Sequence, residues 1–386
     1  MSELALHVRG ILGKRQPDML ALLETLTGID SGSYDVAGVA EVQAVIADVL
    51  ARQGFAIDRL PVADRAPLLR ATLRQGGRGR LLILGHADTV WPKGTVAEWP
   101  FVIDGDTASA PGVGDMKAAL VMACFALDAF APVAAERFDT ITFLVVSDEE
   151  LGSVGSRALI EAEARRHDWA LTLEPARPGG GLVTARNAVG AVMLRATGVT
   201  AHSGVDYARG RSAVRALAGL VTRIEAMTDL DAGLILNCGI FRGGVARQVV
   251  PAEAEIHLDL RAASTAALEA VLHRIDTLIA DATPDGVTIE RRGGLTRPAW
   301  RPGVADPLYT KAAKVADALA IPIFAAWSSG GSDGSFPAGM GIPTLDGLGP
   351  VCRHSCSRDE VAEISSIAQR GALFAGLLAQ LPASLD

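Results

Sequence analysis

The sequence predicts an α/β protein in which a larger unit is interrupted by a smaller α+β unit. The chain has 386 residues, which is more than one ordinary hydrophobic core organises, so two domains are expected. Apolar strand-like segments alternate with helical segments before about residue 187 and again after about residue 294. Between these points the predicted order changes to strand, helix, strand, strand, helix, strand.

The larger unit begins with helices and continues as alternating strands and helices. The segment "EVQAVIADVLARQGF" has apolar residues at helical spacing, and Gly54 within it is a helix stop. Strands such as "RLLILGHAD" and "DTITFLVVSDEE" then alternate with helices, one of which begins near Met116. Apolar strands separated by helices indicate a mostly parallel sheet that is covered by helices. We assign residues 1–187 and 294–386 to this discontinuous domain.

The smaller unit is assigned to residues 188–293. Its predicted elements are, in order, "GAVMLRATG", helix "SAVRALAGLVTRIEAM", strands "LILNCGIFRGG" and "AEAEIHLDLRA", helix "TAALEAVLHRIDTLIADA" and strand "VTIERRG". This order is typical of the ferredoxin-like fold. The strict alternation in "AEAEIHLDL" is expected of a strand with one packed face and one wet face. We therefore predict an inserted ferredoxin-like α+β domain.

Composition and charge argue against several classes of partner. The net charge of -8 disfavours nucleic acid, because phosphate binding requires a basic surface. Four cysteines are too few and too scattered for a disulfide framework. The N-terminal segment carries charges throughout, and the most apolar helix is interrupted by Lys117 and Asp128, so we expect neither a signal peptide nor a membrane span. A cytoplasmic protein without a membrane partner is the resulting expectation.

Potential metal ligands follow five apolar segments of the larger unit. They are His86 with Asp88 in "LLILGHADTVWP", Asp115 in "APGVGDMKAAL", Glu149 and Glu150 in "SDEELGS", Glu174 in "LTLEP" and His354 in "GPVCRHSC". Each alone is typical of a solvated turn, a helix cap or a structural histidine. Together they favour a site, because α/β sheets bind ligands at the C-terminal ends of their strands. Two histidines and three carboxylates suit two Zn²⁺ ions.

The motifs "GHADTVWPKGT", "GVGDMKAAL", "SDEELGS", "LEP" and "RHS" resemble the M20 family of co-catalytic metallopeptidases. They occur in the family's order and spacing over nearly the whole chain. Within the family, the sequence looks most like the glutamate carboxypeptidases of the carboxypeptidase G2 type. The resemblance implies a dizinc aminopeptidase-like catalytic domain, with the inserted domain acting as a lid and dimerisation domain.

The resemblance also implies a set of metal ligands. Asp115 would bridge two metals, His86 and Glu174 would bind one, and Glu150 and His354 would bind the other. Two Zn²⁺ ions per subunit are expected, although Co²⁺ or Mn²⁺ suit the same ligands.

Three further residues receive catalytic roles by the same resemblance. Glu149 would be the general base that takes a proton from the attacking water and delivers it to the leaving amine. Asp88 would orient His86. His202, in "AHSG", would reach the active site of the other subunit and stabilise the oxyanion, which implies a homodimer formed through the lid. On residue type alone, a loop histidine is the favoured interpretation of His202.

The candidate substrate-binding residues are Gln248, Arg261, Arg297, Gly331 and Ser332. Gln248 stands where the family has asparagine, so its amide is one methylene further out. An arginine such as Arg261 or Arg297 suits bidentate capture of a free carboxylate, although either is equally a surface residue. The glycine-rich stretch "SSGGSDGSF" would let the backbone approach the substrate, or would form a turn without a ligand role.

The predicted function is a dizinc hydrolase that cleaves an amide bond in a small N-acyl amino acid or peptide and releases a C-terminal amino acid, as glutamate carboxypeptidases do. One alternative is an N-acyl amino acid deacylase of the acetylornithine deacetylase or succinyl-diaminopimelate desuccinylase type. A serine hydrolase is a second, because "GGSDG" around Ser332 formally matches G-x-S-x-G, but Pro337 disfavours the helix that such a motif needs. A non-catalytic binding protein is a third.

Overall fold

The computed structural model describes residues 2–301 and 303–381, which divide into two compact units. The first unit comprises the chain up to Ala185, Arg301–Trp327 and the chain from Ser332 onwards. The second unit comprises Arg186–Trp300 and Ser328–Gly331.

The described residues form helices and strands throughout both units. The α-helices are α1 Ser2–Lys14, α2 Gln16–Thr27, α3 Val36–Arg52, α4 Thr95–Glu98, α5 Ala118–Ala134, α6 Arg157–Ala164, α7 Ala213–Glu225, α8 Thr265–Ala282, α9 Asp306–Leu319, α10 Ser335–Gly339 and α11 Ile364–Gln380. The strands are β1 Ala56–Leu60, β2 Leu68–Arg74, β3 Gly79–His86, β4 Val102–Asp104, β5 Thr107–Ser109, β6 Phe138–Val146, β7 Trp169–Thr172, β8 Leu182–Arg186, β9 Ala188–Thr197, β10 Ile235–Gly243, β11 Glu253–Ala262, β12 Thr288–Arg297, β13 Ala325–Ser328, β14 Thr344–Leu345, β15 Cys352–Arg353 and β16 Val361–Glu363.

A six-stranded sheet organises the first unit. Its strand order is β1-β2-β6-β3-β7-β14. The central pairs β3–β6 and β3–β7 are parallel, as is β7–β14, whereas β1 and β2 are added antiparallel at one edge. In β3 every residue except Arg80 is buried, which explains why its sequence is a continuous apolar run instead of an alternating one. The parallel centre places the ends of β3, β6 and β7 at one edge of the sheet.

Helix α5 is the most apolar helix of the first unit. With the turn before it, Val113–Ala134 is long and apolar enough to cross a membrane by length and composition, yet 72% of its most apolar window is buried inside the protein. The helix packs against α11 and against β3. Its composition is therefore that of a core helix, which is hydrophobic on all sides.

The second unit has the element order β9-α7-β10-β11-α8-β12. Its strands form one antiparallel sheet in the order β10-β11-β9-β12, as in the predicted ferredoxin-like arrangement. In β11 the residues Ala254, Ile256, Leu258 and Leu260 are buried and the intervening ones are more exposed. The buried residues belong to the same hydrophobic core as Leu217 of α7. The predicted fold class is confirmed.

The boundaries of the units differ in detail from those expected of the two domains. Strand β12 continues to Arg297, beyond residue 293, because it pairs with β9 as far as the Arg297–Val189 partners. The segment Ser328–Gly331 also groups with the second unit. The assignment of these units as catalytic domain and lid stays a prediction.

Candidate metal centre

His86 is the last residue of β3, and its imidazole is buried beside three carboxylates. Its Nε2 lies 3.2 Å from Asp115 Oδ1 and 4.0 Å from Glu174 Oε1. Its Nδ1 lies 2.9 Å from the backbone oxygen of Asp88 and 3.5 Å from the Oδ1 of the same residue. Asp88 therefore lies where it can orient the ring, chiefly through its carbonyl.

Asp115 is presented by a π-helical turn, Val113–Lys117, that leads into α5. The backbone of Asp115 is not helical, with φ −116° and ψ 89°, so its side chain leaves the turn instead of following the helix. Gly114 precedes it, and a side chain there would collide with the sulfur of Cys352. The glycine is thus required by the close packing of this turn.

Glu149 and Glu150 begin a short 3₁₀ turn immediately after β6. The carboxylate of Asp88 accepts hydrogen bonds from both of their backbone N–H groups, at 3.1 Å and 3.2 Å. The adjacent Asp148 accepts a hydrogen bond from the N–H of Gly155 at 2.7 Å, which closes the turn. The three neighbouring acids therefore have different surroundings.

The donor atoms form two groups that share His86. Within each group the donor atoms all lie within 4.8 Å of one another; the groups are His86, Glu149 and Glu174, and His86, Asp115 and Glu150. Imidazole nitrogen and carboxylate oxygen are the ligands that zinc and similar divalent ions take in hydrolases. Glu149, which was predicted as the base, is part of the first group.

Electrostatics favour a cation in this cluster. Burial, and after it the neighbouring Asp115, raise the pKa of Glu150 to about 9. Burial and Asp115 also raise the pKa of Glu174 well above its usual value. For His86, burial lowers the pKa, but the carboxylates of Asp115 and Asp88 outweigh it, so the pKa is raised well above the usual value. Crowded acids of this kind are stabilised as carboxylates by divalent cations, so the residues fit a metal centre.

Comparison with known proteins identifies the family. A model of Peptidase family M20/M25/M40 matches residues 82–380. The chain belongs to this family. Carboxypeptidase G2 of Pseudomonas sp. (strain RS-16) is 29% identical over 95% of this chain and 90% of its own length. A succinyl-diaminopimelate desuccinylase of Thioalkalivibrio sulfidiphilus is 26% identical over 94% of this chain and 99% of its own length.

Solved structures share the M20 fold at low identity. A tripeptidase from Staphylococcus aureus has a TM-score of 0.78 at 20% identity, covering 95% of this chain and 99% of its own. An M20 family metallo-carboxypeptidase from Sulfolobus solfataricus has a TM-score of 0.76 at 17% identity, covering 94% and 99%. The predictions of the M20 family, of its fold and of a metallohydrolase are confirmed. The alternative of a non-catalytic protein is thereby disfavoured.

Among the described residues, His354, the fifth predicted M20 ligand, is not a member of either donor group. It is exposed on the loop after β15 and has a left-handed backbone, with φ 59°. The same loop brings the sulfur of Cys356 to 3.7 Å from Asp115 Oδ2. The ligand role of His354 stays a prediction.

His202 and Gln248 lie on paired, exposed segments of the second unit. The backbone N–H of Ser203 donates to the carbonyl of Gln248 at 2.9 Å, and His202 forms a β-bridge with Val249. The imidazole Nδ1 of His202 accepts a hydrogen bond from the Gly204 N–H at 3.1 Å. The His202 side chain is exposed.

The two predicted substrate arginines have different environments. Arg261 donates to both carboxylate oxygens of Asp259 at 2.9 Å, and also to the carbonyl of Ser329 at 3.0 Å. A substrate carboxylate would compete with Asp259 for this guanidinium. Arg297 is buried, and a side chain at Gly331 would lie 3.1 Å from its Nε. The glycine at position 331 therefore allows the Arg297 side chain to approach the backbone closely.

Ser332 is fully buried in the first unit. Its hydroxyl accepts a hydrogen bond from the Gly334 N–H at 3.1 Å. The expectation that Pro337 would prevent a following helix is wrong, because α10 includes it near its N-terminal end, where proline is tolerated. A fully buried hydroxyl is nevertheless unsuited to nucleophilic attack, which disfavours the serine hydrolase.

Three polar residues near the candidate metal centre were not predicted from the sequence. The Ser33 hydroxyl donates to Asp88 Oδ2 at 2.7 Å. Buried Lys117 donates to the carbonyl of Ile29 at 2.9 Å, and burial lowers the pKa of its ammonium group to about 7. Glu360 accepts hydrogen bonds from the turn that carries Asp115. The only local signal for Glu360 is its place shortly after His354 in "RHSCSRDE".

An open cleft of about 510 Å³ lies in the first unit beside Glu150. Its lining residues are Gly32, Ser33, Tyr34, Asp35, Thr89, Val90, Trp91, Pro92, Lys93, Glu150 and Leu151. Within it, Lys93 and Asp35 form an ion pair at 3.0 Å. The remaining walls are largely apolar.

Proposed function

We propose that the chain is a dizinc amidohydrolase that releases a C-terminal amino acid from small N-acyl amino acids or peptides, as glutamate carboxypeptidases do. The observation that carries the proposal is the pair of donor groups that share His86. The similarity to carboxypeptidase G2 over most of both chains supports the reaction class.

In this proposal His86, Asp115, Glu150 and Glu174 hold the metals, and His354 completes the set. Two zinc ions would supply Lewis-acid activation of water and stabilisation of the negative charge that develops on the attacked carbonyl. His86 Nε2 and Asp115 Oδ1 lie 3.2 Å apart, so these two donors could hold the same ion. Asp88 keeps the imidazole of His86 in one orientation.

Glu149 is the proposed general base. Its backbone N–H is anchored on Asp88, and its carboxylate oxygen lies within the first donor group. A carboxylate in that position takes a proton from the attacking water and delivers it to the leaving amine. Glu150 follows Glu149 directly and belongs to the other donor group, with Asp115; its proposed role as ligand rests on the matching position in the M20 motif.

The cleft beside Glu150 is the proposed site for the acyl part of the substrate. Tyr34 and Trp91 offer apolar surface, and the ion pair of Lys93 with Asp35 leaves no net charge on that wall. A neutral apolar group is therefore favoured over a second carboxylate. Arg297, Arg261, Gln248 and Gly331 remain the proposed residues for the C-terminal part, whereas the fully buried hydroxyl of Ser332 does not offer a contact to it.

The proposal is tested with a panel of N-acyl amino acids that vary in acyl group and in C-terminal residue. Release of the free amino acid is followed with metal-free protein and after addition of Zn²⁺, Co²⁺ or Mn²⁺. We expect zinc-dependent release, fastest for N-acyl glutamates with apolar acyl groups. Absence of release from every member of the panel, with zinc bound, would contradict it.

A deacylase of the acetylornithine deacetylase or succinyl-diaminopimelate desuccinylase type is the second candidate. Two relatives that are named succinyl-diaminopimelate desuccinylase, at 26% and 29% identity, support it. It predicts faster hydrolysis of N-succinyl-diaminopimelate or N-acetylornithine than of N-acyl glutamates. The same panel, extended by these compounds, separates the two candidates.

We also propose a homodimer formed through the second unit, in the cytoplasm. Strand β10 is an edge of its described sheet, and Ile240 and Phe241 on it are 37% and 41% exposed. An exposed apolar edge strand is a template for pairing with a second copy. The four cysteines are all free, which suits a reducing compartment.

The mass of the particle in solution tests the dimer. Phe241→Glu should convert it to monomers, whereas Leu230→Glu, at a 74% exposed position away from β10, should not. Light scattering after gel filtration measures the mass of each variant and so distinguishes a dimer from a monomer. A wild-type monomer, or a dimer that tolerates Phe241→Glu, would count against this interface.

A further inference from the structure

We propose that Glu360 is a positioning residue that ties together the two loops carrying the predicted ligands Asp115 and His354. Its carboxylate is buried and lies outside the donor groups described above. The inference rests on the metal site of the proposed function, but it concerns metal affinity and not the identity of the substrate.

The first oxygen of Glu360 holds the turn before α5. Its Oε1 accepts hydrogen bonds from the backbone N–H groups of Gly114, at 2.8 Å, and Asp115, at 3.1 Å. Two consecutive N–H groups on one oxygen fix the plane of the peptide that joins these residues. Because Asp115 has a non-helical backbone, the regular hydrogen bonds of a helix do not fix it there.

The second oxygen of Glu360 holds the other loop. Its Oε2 accepts a hydrogen bond from the backbone N–H of Cys356, at 3.1 Å. Cys356 is separated from His354 by a single residue, and both have a left-handed backbone, with φ 62° and 59°. Non-glycine residues rarely adopt this conformation, so the loop requires contacts that compensate for its strain.

Glu360 itself is anchored at both sides of its backbone. Its N–H donates to the carbonyl of Ser357 at 3.1 Å, and its carbonyl accepts from the Ser109 hydroxyl at 3.2 Å. Strand β16 follows at once and pairs with both β15 and β5. The carboxylate therefore projects from a rigid base between two loops that are far apart in sequence.

A carboxylate is suited to this place because it only accepts hydrogen bonds. A glutamine has nearly the same shape, but its amide offers one oxygen and one NH₂ group. In Glu360→Gln either the Gly114–Asp115 pair or Cys356 would face a donor instead of an acceptor. One of the two loops should then move, and the predicted metal ligand on that loop should move with it.

Zinc binding to metal-free protein provides the test. Wild type should bind two Zn²⁺ ions per chain, and Glu360→Gln should bind at least one of them about tenfold or more weakly, as measured by competition with a chromophoric chelator. The control is Glu363→Gln, at the end of the strand that follows Glu360; the Glu363 carboxylate pairs only loosely with Arg353, at 3.8 Å. It should bind zinc as wild type does.

Activity supplies a second readout on any hydrolysed substrate. Glu360→Gln should show a lower kcat at limiting zinc, with little change in KM, and excess zinc should restore part of kcat. Because zinc that binds the folded state would also stabilise a partly unfolded variant, the folding of metal-free Glu360→Gln is measured separately by its thermal unfolding. Wild-type zinc affinity in a cooperatively folded Glu360→Gln protein would overturn the proposal.

A second, conservative variant keeps the proposal testable if Glu360→Gln does not fold. Glu360→Asp keeps two acceptor oxygens on a shorter side chain, so an intermediate zinc affinity supports positioning and wild-type affinity contradicts it. The result is separable from the proposed function. Zinc binding without hydrolysis of any panel substrate would refute the function alone, and hydrolysis with unchanged zinc affinity in the variants would refute only the role of Glu360.

Discussion

The two units hold their predicted functional side chains in different ways. In the first unit, His86 is buried at the end of a central strand, and Asp88 and Glu360 anchor the backbone of its neighbours. In the second unit, His202 and Gln248 are exposed on loops, and Arg261 is already paired with Asp259. The first arrangement holds its polar side chains in fixed positions, as a preorganised site requires, whereas the second leaves His202 and Gln248 exposed.

Loss of Glu149, the proposed base, should produce the largest effect, because the proposed reaction requires its proton transfer in every turnover. We expect Glu149→Ala to keep its bound zinc and to lose about 10³-fold in kcat, within the range for general base catalysis. Zinc content and turnover on the best N-acyl amino acid are measured on the same preparation. Near-wild-type turnover would show that another group takes the proton.

The adjacent residue should respond differently. We expect Glu150→Ala to weaken zinc binding by about 100-fold, because a ligand is lost from the second donor group. Its activity should recover partly in excess zinc, unlike that of Glu149→Ala. Equal zinc affinities in the two variants would remove the distinction between neighbouring acids.

His202→Ala tests whether the exposed loop of the second unit contributes to chemistry. We expect kcat to fall by about 100-fold, as for the loss of one oxyanion donor, with zinc content unchanged. Mixing His202→Ala with Glu149→Ala subunits should restore part of the activity if His202 acts on the other subunit. Verified heterodimers without any recovery would place the role of His202 within its own chain or remove it.

Features that depend on local sequence patterns could be predicted from the sequence in both units. His86, Glu149, Glu150 and Glu174 were predictable as a group because each follows an apolar strand, and parallel strands bring their ends to one edge. The ferredoxin-like order was equally visible, because alternation in β11 has a local period. These features depend on short stretches of chain.

The residues that make long-range contacts are not marked by any such local pattern in the sequence. Ser33 meets Asp88 across 55 positions of sequence, and Glu360 meets Asp115 across 245. The end of β12 was misplaced because its pairing with β9, and not its composition, decides where it stops. The loop of His354 depends on a side chain that supports its backbone, so its position could not be deduced from the "RHS" motif.

Ser33→Ala should have the smallest effect of the four, and it tests whether preorganisation in the first unit extends beyond the donor groups. The Ser33 hydroxyl donates to the same Asp88 oxygen that accepts from the Glu150 N–H, so its loss loosens the carboxylate that anchors both glutamates. We expect kcat to fall by about tenfold, corresponding to one hydrogen bond to a charged group, with KM little changed. Ser31→Ala is the matched control, since the Ser31 hydroxyl is buried without a hydrogen-bond partner in the described part of the chain. Equal losses in the two variants would mean that packing of this loop, and not the bond to Asp88, sets the geometry of Glu149 and Glu150.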